Sequence, residues 1–274
     1  MRDFLFKKSR KSLISLKKLY ICSMKTIKTY LTNLPIGVKT IVGINLFFYL
    51  VSLMSINCFS YDINNAFGAY PTCSEHFNYY RVVTFMFSHA LDVTHIISNI
   101  IIFILFAPFV SNKLGNKNTF LLYFFSGLMS FVIFNHQKNY ENFMIKKDMS
   151  KIGIDIKKIK QSSTGSVDIL KFKNLSDEQF GFLRDYPYTN SKLIGASGSV
   201  FSFILLFLVF SIKDRKNIFL SLGSILLIIQ QIIFYFFRDI TTSGTTFGHL
   251  GGIIGGMIFL LFFTLVINKK GIKY

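Results

Sequence analysis

The chain alternates between long apolar runs and polar segments that carry most of its charge. Six apolar runs contain no Asp, Glu, Lys or Arg and approach the roughly 20 residues that a helix needs to cross about 30 Å of hydrocarbon. They are Thr40–Ile56, Val93–Asn112, Asn118–Gln137, Leu193–Ile212, Asn217–Phe237 and Ile240–Asn268. The last run is longer than a span requires, and its polar stretch Thr241–Phe247, which holds Gly244, predicts that it begins as a loop. The pattern predicts an all-α, polytopic membrane protein with six transmembrane helices.

The composition agrees with this pattern. Hydrophobic residues make up 51% of the chain and charged residues 16%, whereas a soluble domain carries about a quarter charged residues. A formal net charge of +18 raises the question of nucleic-acid binding. The Lys and Arg residues, however, collect between the apolar runs, as charges do around membrane spans. We therefore expect the lipid bilayer as a partner and no nucleic acid, and the short-loop bias predicts both termini on the cytosolic or equivalent side.

The predicted membrane domain is flanked by basic segments. Residues 1–39 contain apolar residues that recur at helical spacing. These are Leu13, Leu16, Tyr20, Met24, Ile27 and Leu31. The segment is either an amphipathic helix that lies on anionic lipid or an organelle transit signal. Residues 40–268 form the membrane domain, with a long polar loop at 138–192, and residues 269–274 form a basic tail. The compartment stays open between the secretory pathway or plasma membrane and a mitochondrial or plastid membrane.

The three cysteines form no metal or redox motif. Cys22, Cys58 and Cys73 include no C-x-x-C pair, so a zinc or redox site is not expected. Cys58 and Cys73 fall in one predicted loop and are able to pair if that loop faces an oxidising compartment. Spacing alone leaves this open, because pairing depends on distances that a sequence does not show.

Small residues surround Ser197 at the beginning of the fourth predicted span. The run Gly195-Ala196-Ser197-Gly198-Ser199 is similar to a nucleophile elbow, but that motif needs Gly two places after the serine, where Ser199 stands. Small residues in membrane helices commonly serve as packing contacts. Taken alone, this run is therefore explained by packing.

The sixth predicted span carries a single histidine among glycines. His249 precedes Gly252 and Gly256, a G-x-x-x-G step that lets two helix backbones approach closely. One reading is a packing face that happens to hold a histidine. The other is a functional group, because an ionisable residue within a span is costly and is usually retained for function.

The depths of Ser197 and His249 favour a reacting pair. Ser197 lies 16 residues before Lys213, and His249 lies 20 residues before Lys269. At about 1.5 Å per helical residue, both lie roughly 24–30 Å from the cytosolic boundary, and their spans run in the same direction. A serine beside a neutral imidazole is able to transfer its proton as it attacks a carbonyl carbon. The predicted spans contain no Asp or Glu, so we expect a dyad that needs no metal or organic cofactor.

His95 and Asn99 lie on one face of the second predicted span, four residues apart. Two such donors are able to stabilise the negative charge of a tetrahedral intermediate, at about 3 kcal/mol per donor in comparable sites. The alternative is a pair that forms interhelical hydrogen bonds.

Taken together, these motifs resemble the rhomboid family of intramembrane serine proteases. The matches run from Tyr80 to Ile267 in the family's order. They are Tyr80-Arg81, Ser88-His89-Ala90, His95-x-x-x-Asn99, Gly195-x-Ser197-Gly198 and His249-x-x-Gly252-x-x-x-Gly256. The resemblance implies a rhomboid-like six-helix bundle, a Ser197–His249 dyad, and an oxyanion hole formed by His95, Asn99 and the backbone N–H of Ser197.

The resemblance also assigns supporting roles. Arg81 matches a structural arginine of the first large loop, and the glycines Gly195, Gly198, Gly252 and Gly256 allow close packing around the site. Phe201 stands where many relatives carry a Tyr whose ring packs on the catalytic histidine, so the ring is kept and the hydroxyl is lost.

The chain departs from the family pattern in three features. Ser111 stands near the position where relatives often carry Glu, the loop between the third and fourth spans is long, and Trp is absent. These departures concern substrate gating and loop anchoring more than the chemistry.

The sequence predicts an intramembrane serine endopeptidase that cleaves single-span membrane proteins within or near their transmembrane helix. The alternatives are a catalytically inactive rhomboid-like protein that binds membrane clients and a small-solute transporter that uses intramembrane polar groups. A transporter would favour an internal repeat, and the two halves of the chain share none. The bias towards Lys, Asn, Ile and Phe is typical of an AT-rich genome, such as that of an apicomplexan parasite, but composition does not establish the source.

Overall fold

The computed structural model describes residues 26–151, 176–177, 180–181, 191–212, 218–237 and 240–269, with side chains except at 240–243 and 266–269. The predicted amphipathic pattern up to residue 25, most of the polar loop and the tail from residue 270 therefore lie outside the described residues. Residues 26–32 are helical, in agreement with the last part of that pattern.

The described chain forms six long helices that correspond in order to the six predicted spans. They are α1 (Ile36–Phe59), α2 (Val93–Leu114), α3 (Asn116–Lys151), α4 (Ser197–Ser211), α5 (Ile218–Phe236) and α6 (Ile240–Lys269). Five of them are long and apolar enough to cross a membrane, whereas α4 is apolar but has only 15 residues. The prediction of an all-α polytopic membrane protein is confirmed.

The third predicted span ends too early. Helix α3 continues past Gln137 to Lys151 and takes in the beginning of the predicted polar loop. Its buried face continues through Lys138, Asn142 and residues beyond them at helical spacing. The Lys138 ammonium is paired with the carboxylate of Glu141 at 2.9 Å, which allows a charged residue to lie on a buried helix face.

The fourth span begins later than predicted, and the sixth begins earlier. Leu193 is extended and exchanges two backbone hydrogen bonds with Ala69, of 2.7 and 2.9 Å, so α4 begins only at Ser197. The prediction that Thr241–Phe247 is a loop is wrong, because α6 is helical from Ile240. The polar side chain of Thr246 is buried there, which a loop prediction based on polarity does not anticipate.

Helix α4 lies at the centre of the bundle and α5 at its periphery. The α4 side chains Phe203, Ile204 and Leu206 are fully buried, whereas the buried residues of α5 are Ser224 and Gln231. The other side chains of α5 are largely apolar and exposed, as expected for a helix that faces lipid.

Glycines on α6 allow its close contact with α4. A Cβ added to Gly252 would overlap the backbone of Gly198, and one added to Gly256 would lie 3.0 Å from the Ser202 side chain. On the side of α3, Ser130 Oγ donates a 2.6 Å hydrogen bond to the Gly248 carbonyl. Small residues and interhelical hydrogen bonds thus hold α3, α4 and α6 together.

The first large loop, between α1 and α2, is anchored by aromatic contacts. The Arg81 guanidinium lies 5.2 Å from the centre of the Tyr70 ring, and its Nε donates a 3.4 Å hydrogen bond to Tyr80 Oη. Cys58 and Cys73 are both exposed in the described structure, and no disulfide joins them.

Candidate active site

Ser197 is the first residue of α4, at the inner end of a cavity. The chain reaches it through Gly195, whose φ of 109° lies in the left-handed region that favours glycine. The Gly195 amide is held by a 3.0 Å hydrogen bond to the Phe85 carbonyl. Because the first amides of a helix have no intrahelical acceptor, the beginning of α4 favours negative charge that develops at Ser197.

Ser197 and His249 are in direct contact. Ser197 Oγ lies 2.8 Å from His249 Nε2, across the close interface between α4 and α6. The Phe201 ring, one turn after Ser197, packs on the imidazole with ring centres 4.5 Å apart and an interplanar angle of 31°. The other imidazole nitrogen, Nδ1, lies 2.7 Å from Gln231 Oε1 of α5. The imidazole is therefore fixed on three sides.

The placement of the Gln231 amide oxygen beside His249 Nδ1 fits one tautomer of the imidazole. A glutamine Oε1 only accepts hydrogen bonds, so Nδ1 carries the proton and donates it to Gln231. In the neutral ring Nε2 then has a free electron pair, and Ser197 Oγ–H is the donor in the 2.8 Å contact. This arrangement lets the imidazole accept the serine proton.

His95 and Asn99 of α2 line the same cavity as the dyad. The Ala90 amide donates a 3.2 Å hydrogen bond to His95 Nδ1, so the proton of the neutral ring is on Nε2. That nitrogen is 3.0 Å from the position of a Cβ on Gly195. One Asn99 Nδ2 hydrogen binds the His95 carbonyl at 2.9 Å, and a second hydrogen is left for another acceptor.

The cavity that joins these groups has a volume of about 390 Å³. Apolar side chains such as Ile102 and Phe201 line part of it, while Ser191, Lys192 and Thr245 add polar groups. The arrangement brings a hydroxyl, a base and two hydrogen-bond donors to one water-accessible space, which is the geometry that acyl transfer requires.

The family model of the Rhomboid domain matches residues 76–147 and 164–265. The chain belongs to the rhomboid family. No curated protein and no solved structure matches the chain. Rhomboids are in general intramembrane serine proteases, and the matched region covers α2, α4 and α5 and most of α3 and α6. The chain is therefore a multi-pass membrane protein in a lipid bilayer.

The remaining family positions lie around the rhomboid site without lining the cavity. Arg81 is in the first loop, and Gly198, Gly252 and Gly256 lie at the contact of α4 with α6. Ser111, which stands near the family's usual Glu, accepts a 2.9 Å hydrogen bond from Thr119 Oγ1 and so joins α2 to α3.

His89, the second residue of the Ser-His-Ala motif, lies behind the site. Its side chain is fully buried, its ring centre is 5.3 Å from that of His95, and its Nε2 has no hydrogen-bond partner in the described part of the chain. Burial, with a smaller contribution from His95, lowers the pKa of His89 to about 4. A neutral His89 adds no positive charge next to His95.

Gln231 is the contact that the sequence did not predict. It follows Gln230 in an apolar run of the fifth span, and a polar residue in a span is a general signal for function. The run has no polar face that shows which of the two glutamines points inward. In the structure Gln231 is buried and Gln230 is exposed.

Proposed function

We propose that this rhomboid is an active serine endopeptidase that cleaves transmembrane proteins within or near their membrane helix through a Ser197–His249 dyad. The observation that carries the proposal is the 2.8 Å contact between Ser197 Oγ and His249 Nε2. The contact is formed in a cavity that is also lined by His95 and Asn99, which supply side-chain donors.

The reaction begins when Ser197 Oγ attacks the scissile carbonyl carbon and His249 Nε2 takes the hydroxyl proton. The resulting oxyanion accepts hydrogen bonds from His95 Nε2–H, the second Asn99 amide hydrogen and the Ser197 backbone N–H. His249 then donates its proton to the leaving amine. An acyl enzyme on Ser197 remains, and the amine product departs.

Water completes the cycle from the polar side of the cavity. Ser191, Lys192 and Thr245, the last from the polar Thr241–Thr246 stretch, supply polar groups there. A water molecule gives a proton to His249 Nε2 and attacks the acyl carbon. Breakdown of the second tetrahedral intermediate returns the proton to Ser197 Oγ and releases the carboxylate product.

A substrate helix reaches the cavity laterally, beside α5. Helix α5 has few buried side chains and is the long helix with the smallest buried share of its apolar window, 11%. A substrate helix must also unwind locally, because the carbonyl groups of a helix are already hydrogen-bonded and shielded.

The experiment is cleavage of a co-expressed single-span membrane protein, followed by the size of the released fragment. We expect cleavage by the wild-type chain and none by Ser197→Ala or His249→Ala. Ser98→Ala is the matched control, because Ser98 lines the same cavity but its hydroxyl donates to the His95 carbonyl of its own helix. Substrate that co-purifies uncleaved with the wild-type chain would instead identify an inactive client-binding protein.

A further inference from the structure

We propose that Gln231 is a positioning residue that holds His249 in its base-competent tautomer, and that it does so only while α5 is packed against α6. The proposal rests on the proposed function of the dyad. Gln231 lies outside the rhomboid motif residues, and its contact links the position of the peripheral helix α5 to the tautomer of the base His249.

As placed, the Gln231 amide presents its oxygen, and so an acceptor, to the imidazole. Its Oε1 lies 2.7 Å from His249 Nδ1 and accepts the Nδ1 proton, which leaves Nε2 unprotonated towards Ser197. Without this acceptor, the proton of a neutral imidazole is free to move to Nε2. In that tautomer Nε2–H points at Ser197 Oγ and the ring no longer acts as its base.

A neutral amide suits this depth in the bilayer. A carboxylate in the same place would also fix the tautomer, but a buried charge costs far more than a buried amide that forms its hydrogen bond. Gln231 is 5% exposed, and the predicted spans contain no Asp or Glu. The amide thus orients His249 without placing a negative charge in the apolar region, although it stabilises the imidazolium less than a carboxylate does.

The hydrogen bond depends on the position of α5. At this end of the helix, α5 meets α6 through Gln231 and through the Tyr235 ring, which packs edge-on against Phe247 with centres 5.5 Å apart. Ser224, the other buried residue of α5, bonds to the Leu220 carbonyl of its own helix. Movement of α5 away from α6 therefore separates Oε1 from Nδ1, whereas the contacts of His249 with Ser197 and Phe201 do not involve α5.

Two substitutions of Gln231 and a matched control test the proposal in the full chain. Gln231→Leu removes the acceptor and keeps a side chain of similar size. Gln231→Glu keeps an acceptor oxygen and adds an ionisable group. Gln230→Leu is the control, because Gln230 is the neighbouring residue on α5 and is exposed. The measurements are kcat and KM on a single-span substrate across pH, and the melting temperature of each variant.

We expect Gln231→Leu to lower kcat about ten-fold, the loss that follows removal of one hydrogen bond to a buried group. KM should stay within about two-fold, and Gln230→Leu should match the wild type. Gln231→Glu should recover most of kcat and shift the acid limb of the kcat profile to higher pH, because a carboxylate stabilises the imidazolium. The proposal is overturned if Gln231→Leu keeps wild-type kcat, or if Gln231→Glu loses as much kcat as Gln231→Leu with an unshifted acid limb.

The tautomer of His249 can be measured independently of proteolytic activity. In ¹⁵N-histidine-labelled protein, the His249 signals are identified by their loss in His249→Ala. We expect a protonated Nδ1 and an unprotonated Nε2 in the wild type, and loss of that preference in Gln231→Leu. A wild-type imidazole protonated at Nε2 would overturn the role of Gln231. Absence of Ser197-dependent cleavage, with Nδ1 protonated as expected, would overturn only the proposed function.

Discussion

Replacement of Gly252 by Ala disturbs the geometry of the Ser197–His249 dyad without changing either reacting residue. The added Cβ would overlap the Gly198 carbonyl oxygen, and it would lie 2.5 Å from the Gly198 carbonyl carbon and 3.1 Å from its Cα. Ordinary contacts begin near 3.4 Å, so α4 and α6 must separate by more than about 1 Å. Because Gly198 follows Ser197 and Gly252 lies one turn after His249, this separation acts directly on the contact between Oγ and Nε2.

Two consequences follow for Gly252→Ala. Overpacking of this kind costs about 1–3 kcal/mol of stability, and a displacement of about 1 Å at a catalytic pair is able to reduce the rate roughly 100-fold. We therefore expect kcat to fall by about two orders of magnitude, with a lower melting temperature in detergent micelles. The assay is cleavage of a single-span substrate, in parallel with thermal unfolding of the same preparations.

Other glycines provide a graded series. A Cβ on Gly256 would lie 3.0 Å from Ser202 Cβ, so Gly256→Ala needs smaller shifts, whereas a Cβ on Gly43 of α1 would meet nothing within 4 Å. We expect losses in the order Gly252→Ala, Gly256→Ala, Gly43→Ala, with the last close to the wild type. Equal kcat and melting temperature for Gly252→Ala and Gly43→Ala would refute the argument that helix separation controls the dyad.

Three further outcomes follow from the contacts around the site. Asn99→Ala removes one oxyanion donor and should lower kcat by about 100-fold at similar KM, measured against Ser98→Ala. Phe201→Leu removes the ring from the imidazole and should lower kcat about 2- to 10-fold, whereas Phe201→Tyr should remain near the wild type in the same assay. The pKa of His89 is about 4 in the fold and 6.5 as a free side chain, so the unfolded chain binds more protons between these values. Stability should therefore fall as the pH drops from about 6.5 to 4, and thermal unfolding of His89→Gln should show a weaker fall.

The membrane spans could be predicted from the sequence wherever the length of an apolar run is enough to define a helix. Helix α2 begins at Val93, as predicted, and each of the other apolar runs overlaps one helix of the bundle. The continuation of α3 past Gln137 was not predictable from apolar length, because the residues that follow are polar. In the structure Lys138 is buried beside Glu141, and this tertiary contact is not visible in the sequence. The helical beginning of α6 was missed for a similar reason, since the polar side chain of Thr246 is buried there.

The proximity of Ser197 and His249 followed from a count of residues to the cytosolic boundary. Because α4 and α6 run in the same direction, the two residue counts compare the depths of Ser197 and His249 in the bilayer. The glycines allow the two backbones to approach closely. The contact of Gln231 could be identified only in the structure, because two adjacent glutamines in an apolar helix do not show which face of the helix is buried. Only the packing of α5 on α6 determines which amide reaches the imidazole.

Covalent labelling of Ser197 tests the central claim most directly. The purified full-length protein is treated with a serine-directed fluorophosphonate, and the modified peptide is identified by mass spectrometry. The account predicts an adduct on Ser197 that disappears in Ser197→Ala, is strongly reduced in His249→Ala, and persists in Ser98→Ala. An unmodified Ser197 in the wild type, or equal labelling in His249→Ala, would contradict the claim that His249 activates this serine.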